Sequence, residues 1–338
     1  MKENTASDKP AAAAAFRKRS SRFQLLTQHG DVFWRGLIAV TAIFVLVLVL
    51  AIGWTTWRDS ALSREVFGLS FVLPTADASW NPVTDTYDAW PLIAGTIVTS
   101  VFAILIAAPF SIFIAIFLSE LCPMWLRTPA NFVIEMLAAI PSVVLGLWGI
   151  FVFLPSVVVP VGHFLENTLG FLPLFQGPIP ASGSSRLAAV LILTIMIIPT
   201  ITALTRDVLR AIPDSQREAA LALGSTRWET IWQVLIPASL SGIFGAVILG
   251  LGRALGETMA VTMVIGNNTV EASGSLLRPG ATLASTIANQ FAEAVSPMHS
   301  SALIELGLIL FVITLLLNMA ARLLVYQVQK KVPTEARA

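Results

Sequence analysis

The sequence is poor in charge, cysteine and histidine. Of its 338 residues only 12% are Asp, Glu, Lys or Arg, about half the share found in soluble domains. One cysteine excludes a disulfide framework, and three scattered histidines leave no zinc cluster of ordinary spacing. The net charge of +1 argues against binding nucleic acid by phosphate neutralisation, so no nucleic-acid partner is expected.

Apolar residues are abundant instead, and they are grouped into long runs. They make up 56% of the chain, and the mean hydropathy is +0.79. A bilayer core takes about 20 mostly apolar residues per helix. We therefore predict an all-α polytopic membrane protein with six transmembrane helices, over residues 36–54, 90–118, 130–154, 187–205, 237–265 and 303–324.

The distribution of Lys and Arg predicts the orientation. Sixteen of them lie in the two terminal segments and in the loops on the same side of the membrane, and four lie in the opposite loops. Positive residues concentrate on the cytoplasmic side, so both termini are expected there. The predicted organisation is a disordered basic cytoplasmic tail (1–33), an N-terminal transmembrane helix (34–56), a periplasmic loop (57–89), a transmembrane domain (90–326) and a cytoplasmic tail (327–338).

The cytoplasmic loop 206–237 reads as a helical hairpin. Pro213 and Asp214 are typical of a helix start, and Gly224 is typical of a helix end. A second short helix is expected from Thr226 to Leu235, before a proline. The alternative is an amphipathic helix that lies on the lipid headgroups.

Seven residues of this loop stand at a fixed spacing: Glu218, Ala219, Ala220, Gly224, Val234, Ile236 and Pro237. The pattern resembles the EAA signature of ABC importer permeases, with Val234 where isoleucine is usual and Ile236 where leucine is usual. In that family this loop docks into a groove of the ATP-binding subunit. The resemblance implies that ATPase coupling is carried by Glu218, Ala219, Ala220, Gly224 and Pro237.

Four further segments, 135–150, 251–267, 279–294 and 302–314, resemble PstC-type permease subunits of phosphate-specific ABC importers. The likeness covers residues 90–326. It implies a type I ABC importer permease core with an added N-terminal helix, in the bacterial inner membrane, that forms half of a phosphate pathway. The implied partners are a PstA-type second permease, two ATP-binding subunits that hold ATP and Mg²⁺, and a periplasmic phosphate-binding protein. No cofactor is expected on this chain.

Ionisable residues inside predicted spans are candidates for function because they are costly there. Arg253 and Glu257 are four residues apart, so on one helix they share a face and can pair. A guanidinium can bind two phosphate oxygens, and Glu257 could orient it or accept a hydrogen bond from the anion. Ser142, after the kink expected at Pro141, is a third pathway candidate. The alternative is an ion pair that only holds helices together.

Other polar residues have structural interpretations. Glu135 is expected to pair with a neighbour and Glu305 to lie at the outer interface, while a short re-entrant piece is expected over 283–291. The three histidines, His29, His163 and His299, are expected to be solvated in tails or outer loops.

The sequence lacks a phosphate-binding loop of the G-x-x-x-x-G-K-[ST] type. It is therefore expected not to be an enzyme, with ATP hydrolysis supplied by separate subunits. Three alternatives stay open at this stage. They are a permease for another oxyanion such as molybdate or sulfate, a secondary transporter that acts alone, and a receptor or scaffold. Inverted repeats with paired broken helices would favour the second of these, and none is visible.

Overall fold

The computed structural model describes residues 9–74, 80–269 and 274–331. The chain divides into two compact units, with the boundary between Thr55 and Thr56. Every regular element of the described residues is helical. The α-helices are α1 (Lys9–Asp59), α2 (Ala61–Phe67), α3 (Trp90–Ile116), α4 (Met124–Ala139), α5 (Ser142–Trp148), α6 (Val159–Leu169), α7 (Arg186–Arg210), α8 (Asp214–Ala222), α9 (Arg227–Glu229), α10 (Ile236–Gly256), α11 (Met259–Val264), α12 (Leu283–Gln290) and α13 (Pro297–Lys331).

Six helical segments of the described chain are long and apolar enough to cross a membrane. Two of them join α-helices through a π-helical segment, Gly149–Val158 between α5 and α6 and Thr230–Leu235 between α9 and α10, and the second span ends in a π-helical turn, Phe117–Leu121. The prediction of an all-α protein with six spans is confirmed. The segments are Trp34–Asp59, Trp90–Leu121, Ser142–Leu169, Arg186–Arg210, Arg227–Gly256 and Pro297–Gln327.

The described part of the first unit, residues 9–55, is helical. Because α1 begins at Lys9, residues 9–33 are helical where the sequence predicts a disordered tail. A run of five alanines lies in this stretch, and alanine has the highest helix propensity of all residues. Residues 1–8, and residues 332–338 of the predicted C-terminal tail, lie outside the described residues.

The third span differs from its prediction. Ile140 and Pro141 are extended, with ψ of 126° and 136°, so α4 ends before them and the membrane helix begins at Ser142. A residue before proline is biased away from the α region. Pro155 does not interrupt the helix, because it lies in a π-helical turn, where the backbone hydrogen bonds are already rearranged. The predicted span 130–154 is therefore wrong, and the span is Ser142–Leu169.

The fifth span also differs from its prediction. The helix runs without a break from Arg227 to Gly256, so the separate short helix expected before Pro237 is wrong. Pro237 lies in the first turn of α10, where its missing N–H is tolerated. At the other end, α10 stops at Gly256 and α11 starts at Met259. One continuous helix to residue 265 is therefore wrong as well.

Helix α7 is the centre of the second unit, packed against α3 and α10. Ala103 and Ala107 of α3 are fully buried against it. The hydroxyl of Thr194 donates to the Ala103 carbonyl at 3.4 Å. On the other side, Gly250 of α10 is in close contact with Ile201. Small residues at these interfaces let the helix backbones approach, as is usual within membranes.

The predicted loop 57–89 contains α2 and a 3₁₀ turn, Gly68–Phe71, and it packs on α13 through aromatic rings. Phe71, Trp80 and Tyr87 are buried in this cluster. The ring of His299 stacks on Tyr87 at 5.6 Å and is buried, so the prediction of a solvated His299 is wrong. Burial and the nearby Asp85 carboxylate raise the pKa of Tyr87.

Glu305 of α13 is also buried, with 4% of its surface exposed. Its Oε2 atom has no hydrogen-bond partner among the described residues. Glu305 is therefore shielded by protein, and its expected place at the outer interface stays a prediction. Contacts between α13 and α2 account for this burial. Helix α2 lies in the predicted loop 57–89, so its packing on α13 is not predicted from the sequence.

Candidate functional site

The segment with the EAA-type pattern forms a hairpin of two helices joined by a tight turn. The amide of Gly224 donates to Leu221 at 3.0 Å, and that of Ser225 donates to Ala220 at 3.1 Å. Gly224 has φ of +92°, a conformation that side chains with a Cβ rarely adopt. The next helix begins with a capping box between Thr226 and Glu229, which satisfies backbone donors that the helix leaves free. The predicted helix end at Gly224 and restart at Thr226 are confirmed.

The hairpin exposes part of the predicted coupling set. Glu218 and Ala219 are exposed, whereas Ala220 is buried and faces the π-helical turn that α8 contacts. Large apolar side chains beside them are exposed as well, and none of them belongs to the predicted coupling set. They are Leu221, Leu223, Trp228 and Trp232. Exposed apolar groups of this kind mark a surface that binds another protein or a membrane.

Arg217 holds the hairpin on the rest of the unit. It forms an ion pair with Glu120, at 3.1 Å between Nη2 and Oε1. It also donates to the carbonyls of Leu209 and Ile212, at 2.7 and 2.6 Å. These carbonyls lie at the end of α7, where helix carbonyls have no partner within the helix. Arg217 precedes Glu218 directly, so the exposed face of α8 is tied through Arg217 to the end of α7 and to the segment that follows α3.

The pathway candidates lie around the break between α10 and α11. Glu257 is extended, with ψ of 126°, and its Oε1 atom accepts a hydrogen bond from the amide of Ala260 at 3.3 Å. This bond satisfies a donor at the start of α11 and competes with continuation of α10. Arg253, in the last turn of α10, donates from Nη1 to the hydroxyl of Thr200 at 2.9 Å. Both Arg253 and Glu257 are half-buried.

Arg253 and Glu257 do not form the pair that their spacing predicts. Among the ion pairs of the described residues none joins them. The physical reason is the break at Glu257, which removes the i, i+4 geometry of a single helix. Thr200, the actual partner of Arg253, follows Pro199 in α7, and nothing in the sequence links it to a position 53 residues away.

Ser142 lies at the start of α5, which packs along α11. A Cβ added at Gly146 would lie 2.5 Å from Met263 Sδ, and one at Gly149 would lie 2.9 Å from Val264. The later of these two glycines lies against the later residue of α11, so the two helices are parallel and begin at the same end. Ser142 and Glu257 therefore lie at neighbouring breaks of the membrane helices. No hydrogen bond of the described chain joins Ser142 to Arg253 or Glu257.

At the α8 end, Glu135 has the structural role that the sequence predicts. Its Oε1 atom is 3.3 Å from Nη1 of Arg206, and the same nitrogen donates to Asn131 at 3.0 Å. Arg206 is nearly buried in α7, whereas α4 has no buried residue. These polar contacts therefore tie α4 to α7.

At the opposite end, the stretch where a re-entrant piece is expected, 283–291, contains the short helix α12; that it re-enters the membrane stays a prediction. The amide of Leu283, the first residue of α12, donates a hydrogen bond to Oγ1 of Thr96 in α3 at 2.9 Å. Its last residue, Gln290, accepts hydrogen bonds from Trp80 Nε1 at 2.7 Å and pairs with His299 Nε2 at 3.1 Å. A cavity of about 510 Å³ opens beside Gln290 and His299.

Comparison with known proteins assigns the class. Residues 107–332 match the family described as "Binding-protein-dependent transport system inner membrane component". The fold is that of ABC transporter permease chains. A chain of the bacterial alginate ABC transporter, in complex with an alginate pentasaccharide-bound periplasmic protein, superposes with a TM-score of 0.57 at 14% identity, over 86% of this chain and 94% of that chain.

Closer relatives identify the group within this class. The phosphate transport system permease protein PstC of Xylella fastidiosa (strain Temecula1 / ATCC 700964) is 43% identical over 307 residues, which are 90% of this chain and 93% of that protein. PstC of Pasteurella multocida (strain Pm70) is 44% identical over 318 residues, 93% of this chain and 98% of that protein. The chain belongs to the PstC family of binding-protein-dependent inner-membrane transport components.

Proposed function

We propose that the chain is one of two permease subunits of an ATP-driven phosphate importer and forms half of its translocation pathway. The observation that carries the proposal is the similarity to PstC proteins, which are named for phosphate transport, over nine-tenths of this chain. The second half of the pathway comes from a PstA-type permease. A periplasmic phosphate-binding protein delivers the anion, and two ATP-binding subunits bind ATP and Mg²⁺.

The ATPase subunits contact the hairpin of α8 and α9. Its exposed face combines Glu218 and Ala219 with the apolar side chains of Leu223 and Trp228, a composition suited to burial against another protein. Movement of an ATPase subunit then reaches the membrane helices through Arg217, which is bonded to the ends of α3 and α7.

The pathway passes the breaks at Ser142 and Glu257. Broken membrane helices leave polar backbone groups that are tolerated where they line a cavity or pathway. Arg253 supplies a fixed positive charge next to these breaks, since Thr200 holds one of its nitrogens and leaves other donors of the guanidinium for phosphate oxygens.

The substrate is tested by the ATPase activity of the complete complex, with the permease pair and ATP-binding subunits in lipid nanodiscs. We expect the binding protein loaded with phosphate to stimulate ATP hydrolysis several-fold, and sulfate or molybdate at equal concentration to have no effect. Equal stimulation by sulfate or molybdate would assign another oxyanion. No stimulation by any anion would reject the importer assignment.

The orientation is tested by thiol labelling. In a Cys122→Ser background, Phe171→Cys at the end opposite α8 should react with a membrane-impermeant maleimide added to intact cells with a permeable outer membrane. Ser215→Cys in α8 should react only after the inner membrane is opened. Both positions are exposed, so both should react in lysed cells, which is the control. The reversed pattern would place the hairpin on the periplasmic side.

A further inference from the structure

A polar cavity of about 490 Å³ lies at the α8 end of the second unit. It is an open depression where α3 and α7 end and where α4 and α8 begin. Three arginines line it, Arg127, Arg210 and Arg217, together with two carboxylates, Glu120 and Asp214. None of these residues belongs to the predicted coupling set or to the pathway around Arg253.

The carboxylates of the cavity are both engaged by one arginine. Arg217 forms ion pairs with Glu120 and with Asp214, each at 3.1 Å. Arg127 and Arg210 are therefore left without a carboxylate partner. Arg210 is exposed, and no hydrogen bond or ion pair to its side chain occurs within the described chain. The cavity thus carries one more positive than negative charge, and two of its three guanidinium groups have no carboxylate partner.

The guanidinium of Arg127 is fixed in position but not satisfied. Its Nη2 atom donates to the carbonyls of Ser119 and Cys122, at 3.0 and 3.4 Å. Its Nε atom is buried and has no hydrogen-bond partner in the described part of the chain. A buried donor without a partner is costly and uncommon in native structures. The Nη1 atom makes no hydrogen bond within the described chain and is not buried, and a guanidinium held in place with this nitrogen unused is suited to an oxyanion.

We propose that this cavity binds a phosphate group between Arg127 and Arg210, either free inorganic phosphate or the phosphodiester of an anionic lipid headgroup. The hydroxyl of Thr128, which also lines the cavity, can donate a further hydrogen bond. Because Asp214 and Arg217 of α8 form part of the wall, the bound group stabilises the position of the coupling hairpin. The site itself does not depend on the transport pathway, and only its placement at the cytoplasmic leaflet rests on the proposed function.

The test uses the complete transporter complex with Arg253→Gln in the permease, so that binding in the pathway does not contribute. One measurement is equilibrium binding of radiolabelled inorganic phosphate at constant ionic strength in detergent. The other is retention of phosphatidylglycerol and cardiolipin, measured by native mass spectrometry. The main variant combines Arg127→Gln with Arg210→Gln. A second variant carries Arg210→Gln alone, because this exposed side chain can be changed without unfolding the chain.

The matched control is Arg322→Gln, which removes an exposed arginine near the C-terminal end of α13, outside the cavity. We expect the double variant to weaken one of the two ligands by about tenfold or more, as the loss of charge-assisted hydrogen bonds to an anion implies. The single variant should show a smaller loss, and the control should show none. Loss of phosphate binding identifies the free anion, and loss of lipid retention identifies the headgroup.

Two results would overturn the proposal. In the first, neither phosphate binding nor lipid retention changes in the double variant, so the cavity binds neither ligand. In the second, Arg322→Gln weakens binding as much as the double variant does, so the attraction is a property of the overall charge of this face. Neither result would bear on the phosphate-stimulated ATPase activity that tests the proposed function.

Discussion

Replacing Arg253 by glutamine should lower phosphate uptake by at least about tenfold while the complex still assembles. Glutamine keeps a polar side chain but removes the positive charge, and it is too short to replace the bond from Arg253 Nη1 to Thr200. Hydrogen bonds to charged groups contribute about 1.5–3 kcal/mol each, and 1.4 kcal/mol corresponds to a factor of ten. The measurement is the initial rate of radiolabelled phosphate uptake, normalised to the amount of complex in the membrane.

Arg253→Lys should give an intermediate rate. Lysine keeps the charge, but its ammonium group cannot hold the Thr200 hydroxyl and present a planar pair of donors to phosphate together. The difference between the lysine and glutamine variants therefore separates the contribution of charge from that of geometry.

A purely structural role for Arg253 makes a different prediction. If Arg253 only fastens α10 to α7 through the bond to Thr200, Thr200→Val should lower uptake as much as Arg253→Gln does. We expect Thr200→Val to retain much more uptake, and Thr200→Ser to be close to the parental rate. Combining Arg253→Gln with Glu257→Gln should not restore uptake, because these side chains do not neutralise each other. A double variant near the parental rate would contradict the assignment of Arg253 to the pathway.

Replacing Gly224 by alanine should uncouple ATP hydrolysis from transport. Gly224 has φ of +92°, and a Cβ added there would meet no atom within 4 Å. The effect is therefore one of backbone conformation, which costs about 1–3 kcal/mol for a residue other than glycine. We expect fewer ATP-binding subunits to co-purify with the permease and uptake to fall several-fold. Gly224→Val should have a larger effect than alanine.

Gly245→Ala is the matched control for this experiment. Gly245 lies within α10 at ordinary helical angles, and a Cβ there also meets no atom within 4 Å. Alanine is favoured over glycine in a helix interior by about 1 kcal/mol, so this variant should assemble and transport normally. Normal coupling in Gly224→Ala would show that the turn between α8 and α9 is not part of the ATPase contact.

Local patterns in the sequence predicted much of the fold. The apolar run that became α7 is interrupted by neither charge nor glycine, and its predicted limits of 187–205 lie within Arg186–Arg210. In the hairpin, the capping residue Thr226 and the positive-φ Gly224 are both determined by neighbours in the chain. Such features depend on residues a few positions apart, so they are readable without the tertiary structure.

Other features were missed or misplaced, some because a local side-chain bond competes with the helical pattern and some because they depend on distant segments. The break at Glu257 follows from a side-chain bond to Ala260 that competes with helix continuation. Proline alone does not mark a break. Pro109 lies inside α3 and Pro155 inside a π-helical turn, whereas Pro141 lies in the break between α4 and α5.

The partners of the site residues are also non-local. Arg253 bonds to Thr200, and Arg217 to Glu120, across 53 and 97 residues. Spacing within one helix predicted a pair of Arg253 with Glu257 instead. The packing of α7 against α3 and α10 decides these pairings. Which helices pack together cannot be read from spacing within a single sequence.

The central claim, that this chain carries phosphate across the membrane in an ATP-driven complex, is tested most directly by transport into proteoliposomes. The complex is reconstituted with ATP on the hairpin side and the loaded phosphate-binding protein on the other. We predict that radiolabelled phosphate accumulates against its gradient only when ATP and the binding protein are both present, and that excess sulfate does not compete. Accumulation that needs neither ATP nor the binding protein, or no accumulation of phosphate by a fully assembled complex, would contradict the account.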